Sequence, residues 1–342
     1  MIANADMIEE LKWESRGIFF DEMPVYQARE DDLDKEKIKH FLLSRRSADV
    51  EKNLKTKKKI VDAVLEEAMY SYKIMTKEHG HAYPTVLGIL LFGKDPQFFF
   101  SEARIMCNHF SGIAMSPSVV ASKECLGTLD EQFQTAYNFV MSRLNRVWEI
   151  KGPRREEQLE IPQQAIREMI MNSIIHRNYH IPGPNKIAIF DNRIEIFSQG
   201  SFPAPVGKNL RAGFTYLRNT MICKIFREMG LIENFGFGFI FTFSSYEKAG
   251  LKDPEIIEGE NFIKCILPRR TQSNVRSLST TEPIISQKIL NLLETTSEIS
   301  VSDVMNMVHL TRQTATRKLA ELVKKKLLVR HGKGRGVKYS KD

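Results

Sequence analysis

Cysteine is scarce in this chain, and what there is gives no sign of cross-linking. The 342 residues include four cysteines, Cys107, Cys125, Cys223 and Cys265, far apart and without a Cys-x-x-Cys pair. Neither a disulfide framework nor a zinc site is signalled, so buried reduced thiols are expected. Long apolar runs are missing as well. Stretches such as Val86–Phe92 fall far short of the ~20 residues a bilayer span needs, and Met1–Glu10 carries acids where a leader peptide wants bases. A cytoplasmic protein without membrane contact is the expectation.

A phosphate-binding loop is lacking too. Gly88-Ile-Leu-Leu-Phe-Gly93-Lys94 fits the first seven positions of a P-loop, but Asp95 stands where Ser or Thr would ligate magnesium. Ile89–Phe92 are large and apolar, whereas a phosphate cradle needs a tight turn of exposed N–H groups. With no P-loop and no paired helicase domains, a helicase is argued against.

What is present is a globular composition, 42% hydrophobic and 27% charged, at a length that suits two or three domains. Net charge is +8 and unevenly placed: from Thr271 onward 13 Lys/Arg face 6 Asp/Glu, leaving 37 bases and 36 acids in the first 270 residues. A fifth of the chain carries nearly all the positive field, the footprint of a polyanion-binding module. A second basic run, Lys52–Lys59, reads as a solvated face.

Periodicity divides the chain into four parts: an N-terminal α+β region at 1–155, an α/β domain at 156–270, a polar Ser/Thr-rich linker at 271–282 and a basic module at 283–342. In the first, an acidic helix start at Asp31–Asp34 leads to Ile38, Phe41 and Leu42, Arg104–Phe110 reads as a strand, and Leu129–Ile150 as a helix capped by Thr128. In the second, Ala165–His176 is expected to be helical, and Lys186–Phe190 and Arg193–Ser198 to be a hairpin turning at Asp191-Asn192. Asn219 is expected to cap a helix that runs to Glu228 and closes at Gly230, Gly236-Phe-Gly238 to open another, and Asn261–Leu267 to form a last strand.

The candidate chemistry sits on the helix Ala165–His176. Glu168, Asn172 and His176 at i, i+4 and i+8 share one stripe, because four helical residues turn through about 400°. Spacing alone leaves two readings open, a solvated polar face or a functional edge. In the second, the carboxylate could orient or deprotonate water and the Asn oxygen is a hard ligand suited to magnesium. His176 reads as structural, and Arg177 has three candidate partners: Glu168, Asp191 or a phosphate.

The string of motifs is more specific than any one of them. Glu168-x-x-x-Asn172-x-x-x-His176-Arg177-x-Tyr179, Ile187–Ile196 with Asp191, Gly200 with Pro203, Arg218-Asn219, Gly230–Glu233, and Gly236 with Gly238 together resemble the GHKL-type ATP-binding domain of the Schlafen AlbA-like, "RecG-like" group of bacterial transcriptional regulators. Tyr83-Pro-Thr-x-x-Gly88 through Pro96-Gln97 resembles the region preceding that domain, and the likeness covers about residues 8–268. It implies a Bergerat-type α/β sandwich binding ATP and magnesium, with Glu168 as the acid that activates water and Asn172 as the magnesium ligand. Gly200 would lie by the adenine-side loop and Gly236 and Gly238 in a phosphate lid, with Arg177 and Asp191 as further candidate nucleotide contacts. The chain departs from better-known members of this type: Ser198-Gln199-Gly200-Ser201 replaces an Asp-x-Gly-x-Gly box, and the lid Phe235–Phe239 is short and aromatic. In that group an AlbA-like domain normally precedes the region that starts here around Ala5-Asp6-Met7-Ile8, so the resemblance places it outside this chain.

The basic module reads as a winged helix. Three helices are expected at Ile284–Leu293, Asp303–Met307 and Arg312–Lys326, followed by two short strands around Gly332-Lys-Gly334-Arg-Gly336. The third helix would enter the major groove of double-stranded DNA, with Thr311, Arg312, Gln313, Thr316, Arg317 and Lys318 toward bases or phosphates and Lys333 and Arg335 on the wing. A homodimer is compatible with such a module. Two functions follow as expectations: a transcriptional regulator whose ATP domain, a weak ATPase at most, is coupled to DNA binding, or a DNA-binding and assembly protein whose α/β domain is a scaffold that binds no nucleotide.

Overall fold

The structure, a computed structural model, describes residues 17, 19–44, 64–115, 118–151, 154–202, 217–232 and 238–270. Beyond these it describes 289, 292–293, 296, 298–308, 315–316, 319–320, 322–323, 327–332 and 337–341. The chain falls into two compact units, Met1–Arg269 and Arg270–Asp342. The fold is mixed α+β, and none of the described helices is long and apolar enough to cross a membrane.

In the first unit α1 (Lys35–Ser44) buries Ile38, Phe41 and Leu42. A hairpin of β1 (Met75–Glu78) and β2 (His81–Pro84) leads into α2 (Val86–Phe92), all of whose residues are buried. Thr85 caps α2 by accepting from the Gly88 amide at 3.0 Å. The segment that mimics a P-loop is thus a core helix, and Gly88 is there for packing: a Cβ would lie 2.2 Å from the Ile74 carbonyl oxygen. A short turn, α3 (Pro96–Phe99), precedes β3 (Ile105–Phe110) and β4 (Val119–Cys125).

Thr128 then caps α4 (Leu129–Met141) in a reciprocal box with Glu131. The helix stops at Met141, short of the expected Ile150. Arg146–Lys151 (β5) instead pairs with Arg154–Leu159 (β6), as β-favouring Val147, Trp148 and Ile150 allow. Asn145 anchors that hairpin, its amide donating to Glu160 at 2.7 Å.

One six-stranded sheet organises the unit, in the order β4-β3-β7-β8-β10-β9, with β7 Asn185–Ile189, β8 Arg193–Gln199, β9 Glu255–Glu258 and β10 Phe262–Pro268. Only the β3–β7 pair is parallel. Strands from both sides of residue 155 therefore share one sheet. Burial alternates along β8, so Ile194 and Ile196 join Ile187, Ile189, Cys265 and Leu267 in a common core with α4 and with α5 (Gln163–Ile175). On the opposite face Phe110 and Phe190 stack at 5.2 Å, with the Arg193 guanidinium 4.1 Å from the Phe190 ring.

A buried ion pair closes the far end of the sheet. Arg269, after β10, meets Glu160, before α5, at 2.7 Å, and also donates to the Phe190 carbonyl. The four cysteines are buried and reduced, but Cys107 and Cys125 on adjoining strands bring their sulfurs to 3.8 Å, a proximity the sequence spacing hides.

In the second unit β11 (Ile299–Ser300), β12 (Leu328–His331) and β13 (Lys338–Lys341) form a sheet in the order β11-β13-β12, and the chain between β11 and β12 includes the helix Val301–Val308. Ile289, Leu293, Ile299, Val304, Ala315, Leu319, Leu322, Leu328 and Tyr339 make its core. Ala315, Leu319 and Leu322 keep the i, i+4, i+7 spacing expected of the third helix's inner face.

Candidate nucleotide site

Helix α5 carries the stripe. Its inner residues Ala165, Ile166, Met169, Ile170 and Ile174 are buried, which leaves Glu168 and Asn172 half-buried on an edge. Against that edge stands the first residue of α7 (Gly238–Lys248). A Cβ on Gly238 would lie 2.9 Å from Glu168 Oε2 and 3.1 Å from Asn172 Nδ2. A helix start some 70 residues on thus converges with Glu168 and Asn172, and only glycine leaves the gap between backbone and side chains open. Arg167 frames the site, 3.6 Å from Glu168 Oε1 and donating to the Leu231 carbonyl.

The C-terminal end of α5 meets a second glycine. Gly200 has φ +101°, and a Cβ there would fall 2.8 Å from Asn178 Cβ and 2.9 Å from Arg218 Nη1. Arg218 donates to the carbonyls of His176 and Ser201, both at 2.8 Å. Asn219 donates to those of Ile175 and Arg177, at 3.0 and 2.8 Å. Arg218 and Asn219 together satisfy carbonyls that a helix end leaves open, and the cation also suits the helix dipole. Burial, and then the charge of Arg218, push the His176 imidazole down to about 4, so it is neutral at pH 7.

Asn219 corrects one expectation. It precedes α6 (Thr220–Glu228), yet its side chain makes no cap there. The α6 amides of Met221 and Ile222 donate instead to Asp21 Oδ2, at 3.1 and 3.2 Å, across 200 residues of sequence. Asp21 is fully buried, and burial pushes its carboxyl up to about 7.

The other candidates lie apart from the Glu168 edge. Arg177 is buried, with its guanidinium donating to the carbonyls of Glu102 and Gly183 at 2.9 and 2.8 Å and lying 5.1 Å from the Tyr179 ring. Asp191 sits exposed in the β7–β8 turn and accepts from the Gly112 amide at 3.0 Å. Seven-residue β8 separates it from Gly200, a span of about 20 Å. Gly236 lies outside the described residues, as do Thr311, Arg312, Gln313, Arg317, Lys318, Lys333, Arg335 and the linker; Thr316 is exposed.

The donor set fits the phosphate and magnesium end of a nucleotide: one carboxylate, one amide oxygen and a residue without a side chain at a helix start. At the adenine side the fit is poorer. The Ser198 hydroxyl is spent on the Ser173 carbonyl at 2.9 Å, and Gly200 backs onto a cation. Among the described residues no cluster of three or more His, Cys, Asp or Glu could hold a metal by itself.

Comparison with known proteins adds two findings. Residues 183–267 match the family described as "Putative ATP-dependent DNA helicase recG C-terminal". The match spans β7 to β10, including Asp191, Gly200 and Gly238, and starts after Glu168 and Asn172. Among solved structures, the DIP2311 protein of Corynebacterium diphtheriae is similar with a TM-score of 0.54 and 19% identity, over 97% of this chain and 67% of that one. At that identity the likeness is one of fold. No curated protein matches the chain.

Proposed function

We propose that the chain is a DNA-binding transcriptional regulator whose α/β unit holds ATP with magnesium and whose C-terminal unit, read as a winged helix after a linker at 271–282, meets double-stranded DNA. The observation that carries the nucleotide half is the convergence of Glu168, Asn172 and Gly238. Asn172 would take the magnesium ion through its amide oxygen and Glu168 would hold a water. Gly238, with Gly236, would let backbone N–H groups approach phosphate, and Gly200 would border the base. Magnesium would supply charge neutralisation at the phosphates. Arg177 and Asp191 contribute through the fold alone.

DNA binding rests on the surplus of 13 bases over 6 acids after Thr271. The test is fluorescence anisotropy of a labelled duplex with the full chain, over a salt series, with and without magnesium ATP. Affinity that falls steeply with salt and shifts on adding nucleotide supports the reading; salt-independent or absent association rejects it. Glu168→Gln should abolish any turnover while leaving nucleotide binding intact.

The second reading, a scaffold that binds no nucleotide, is supported by one observation: the Arg218 guanidinium stands beside Gly200, 2.9 Å from where a Cβ would lie. Under that reading DNA affinity is unchanged by ATP.

A further inference from the structure

Strand β4 is an edge of the six-stranded sheet, and in the described sheet its outer side has no partner strand. Its burial is unlike that of β8: Val119 and Val120 are exposed, and so are Ser122, Lys123 and Glu124. Of the ten exposed large apolar residues among those described, Val119, Val120 and Leu126 lie on this strand or directly after it, and Phe98 follows Gln97, which bonds Gly127. Phe98 and Val120 are 78% and 59% exposed. A long, apolar, unpaired edge is a template for another strand, and proteins normally blunt such edges or use them.

The pattern along the edge selects the occupant. Val119 and Val120 stand at the start of β4. Leu126 lies past its end, where Gln97 and Gly127 exchange hydrogen bonds at 2.8 and 3.1 Å, so that the neighbouring Phe98 flanks the same end. Polar Ser122, Lys123 and Glu124 occupy the middle. Two such strands paired antiparallel about a two-fold axis at Ser122 bring the apolar start of each against the apolar end of the other, twice. In that register Lys123 faces Ala121 and Glu124 faces Val120, so no residue faces a like charge. Glu124 is also neutralised by Arg104 Nε at 3.1 Å. With one Lys and one Glu the strand has no net charge, unlike the basic C-terminal unit, and does not suit a polyanion.

We infer that β4 is a dimer interface, joining two copies of this chain into one continuous sheet through β4–β4 pairing. Sedimentation velocity of the full chain from about 1 to 100 μM tests it. The expected result is a concentration-dependent dimer whose dissociation constant rises at least tenfold in Val120→Glu, a change at an exposed site that sets a second carboxylate opposite Glu124 and leaves the melting curve of the dilute monomer unaltered. A second variant reads the geometry. Ser122→Cys places two thiols across the axis, where directly opposite residues have Cα atoms about 4.5–5.5 Å apart, within disulfide range. Mild oxidation should cross-link Ser122→Cys, whereas Lys252→Cys at an exposed loop away from the edge should not; the native cysteines are buried. A monomer over the whole range leaves the edge to a strand of some other protein and overturns the inference. So does a dimer indifferent to Val120→Glu, or equal cross-linking at positions 122 and 252.

Discussion

Two glycines that look alike in sequence should respond to alanine in opposite ways. At Gly88 the added Cβ would lie 2.2 Å from the Ile74 carbonyl oxygen, more than an ångström inside the 3.4 Å of ordinary contact. That oxygen cannot yield, because it accepts from the Thr85 amide at 3.0 Å and from the Thr85 hydroxyl at 3.3 Å, the bonds that set the start of α2. Gly88→Ala must therefore move buried backbone or break the cap. Overpacking of this kind costs about 1–3 kcal/mol and a lost hydrogen bond about 1 kcal/mol more, together roughly 3 kcal/mol. At about 2–4 °C per kcal/mol, the melting temperature falls by roughly 6–12 °C.

At Gly238 the near atoms are the tips of Glu168 and Asn172, at 2.9 and 3.1 Å, and a swing of about half an ångström relieves the contact. Alanine in a helix also gains up to about 1 kcal/mol over glycine, so Gly238→Ala should melt within about 1 kcal/mol of the parent. Its effect falls on the site: a displaced carboxylate and amide should weaken magnesium nucleotide binding about tenfold or more. Urea and thermal melts of both variants, with a nucleotide titration of Gly238→Ala, check the pair. A Gly88→Ala protein within 1 kcal/mol of the parent, or a Gly238→Ala protein that melts as early as Gly88→Ala, would refute the reasoning.

Further outcomes follow from individual contacts. Arg269→Leu strands the buried Glu160 carboxylate and should cost about 3–5 kcal/mol in a urea melt, while Glu160→Leu with Arg269→Leu together should recover much of that loss. Asp21 is pushed up to about 7 in the folded chain from an ordinary value of 3.8, so the folded state binds the extra proton. Its contribution is full below about pH 4 and lost as pH rises to about 7, up to about 4 kcal/mol in all. Asp21→Asn should flatten that part of the stability profile and be the more stable protein above pH 7; a parallel profile for the two would refute the assignment. Replacing Arg312 and Arg317 by Ala should weaken duplex binding and reduce its salt dependence by about two ions. An unchanged slope would remove them from the phosphate contacts.

Local signals were legible in the sequence and long-range ones were not. The Glu168 and Asn172 stripe, the turn at Asp191-Asn192, the cap at Thr128 and the close at Gly230 depend on residues within a few positions of each other, and the structure places them accordingly. The run to Ile150 misled because apolar residues at helical spacing do not show that Asn145 is tied to Glu160, just past the opposing strand. Asn219 looked like a cap for its own helix. Its true acceptors, Ile175 and Arg177, and the replacement cap Asp21 lie some 40 and 200 residues away, where periodicity carries no information. The sequence pattern brought Gly238 forward as a phosphate contact; only the fold sets it on Glu168 and Asn172.

The central claim, a nucleotide site on the α5 edge, is tested most directly by calorimetric titration of the full chain with ATP, with and without magnesium, beside Asn172→Ala. The account predicts binding that strengthens with magnesium and loses that dependence in Asn172→Ala. No heat of binding at millimolar ATP, or identical magnesium-dependent binding by parent and Asn172→Ala, would contradict it.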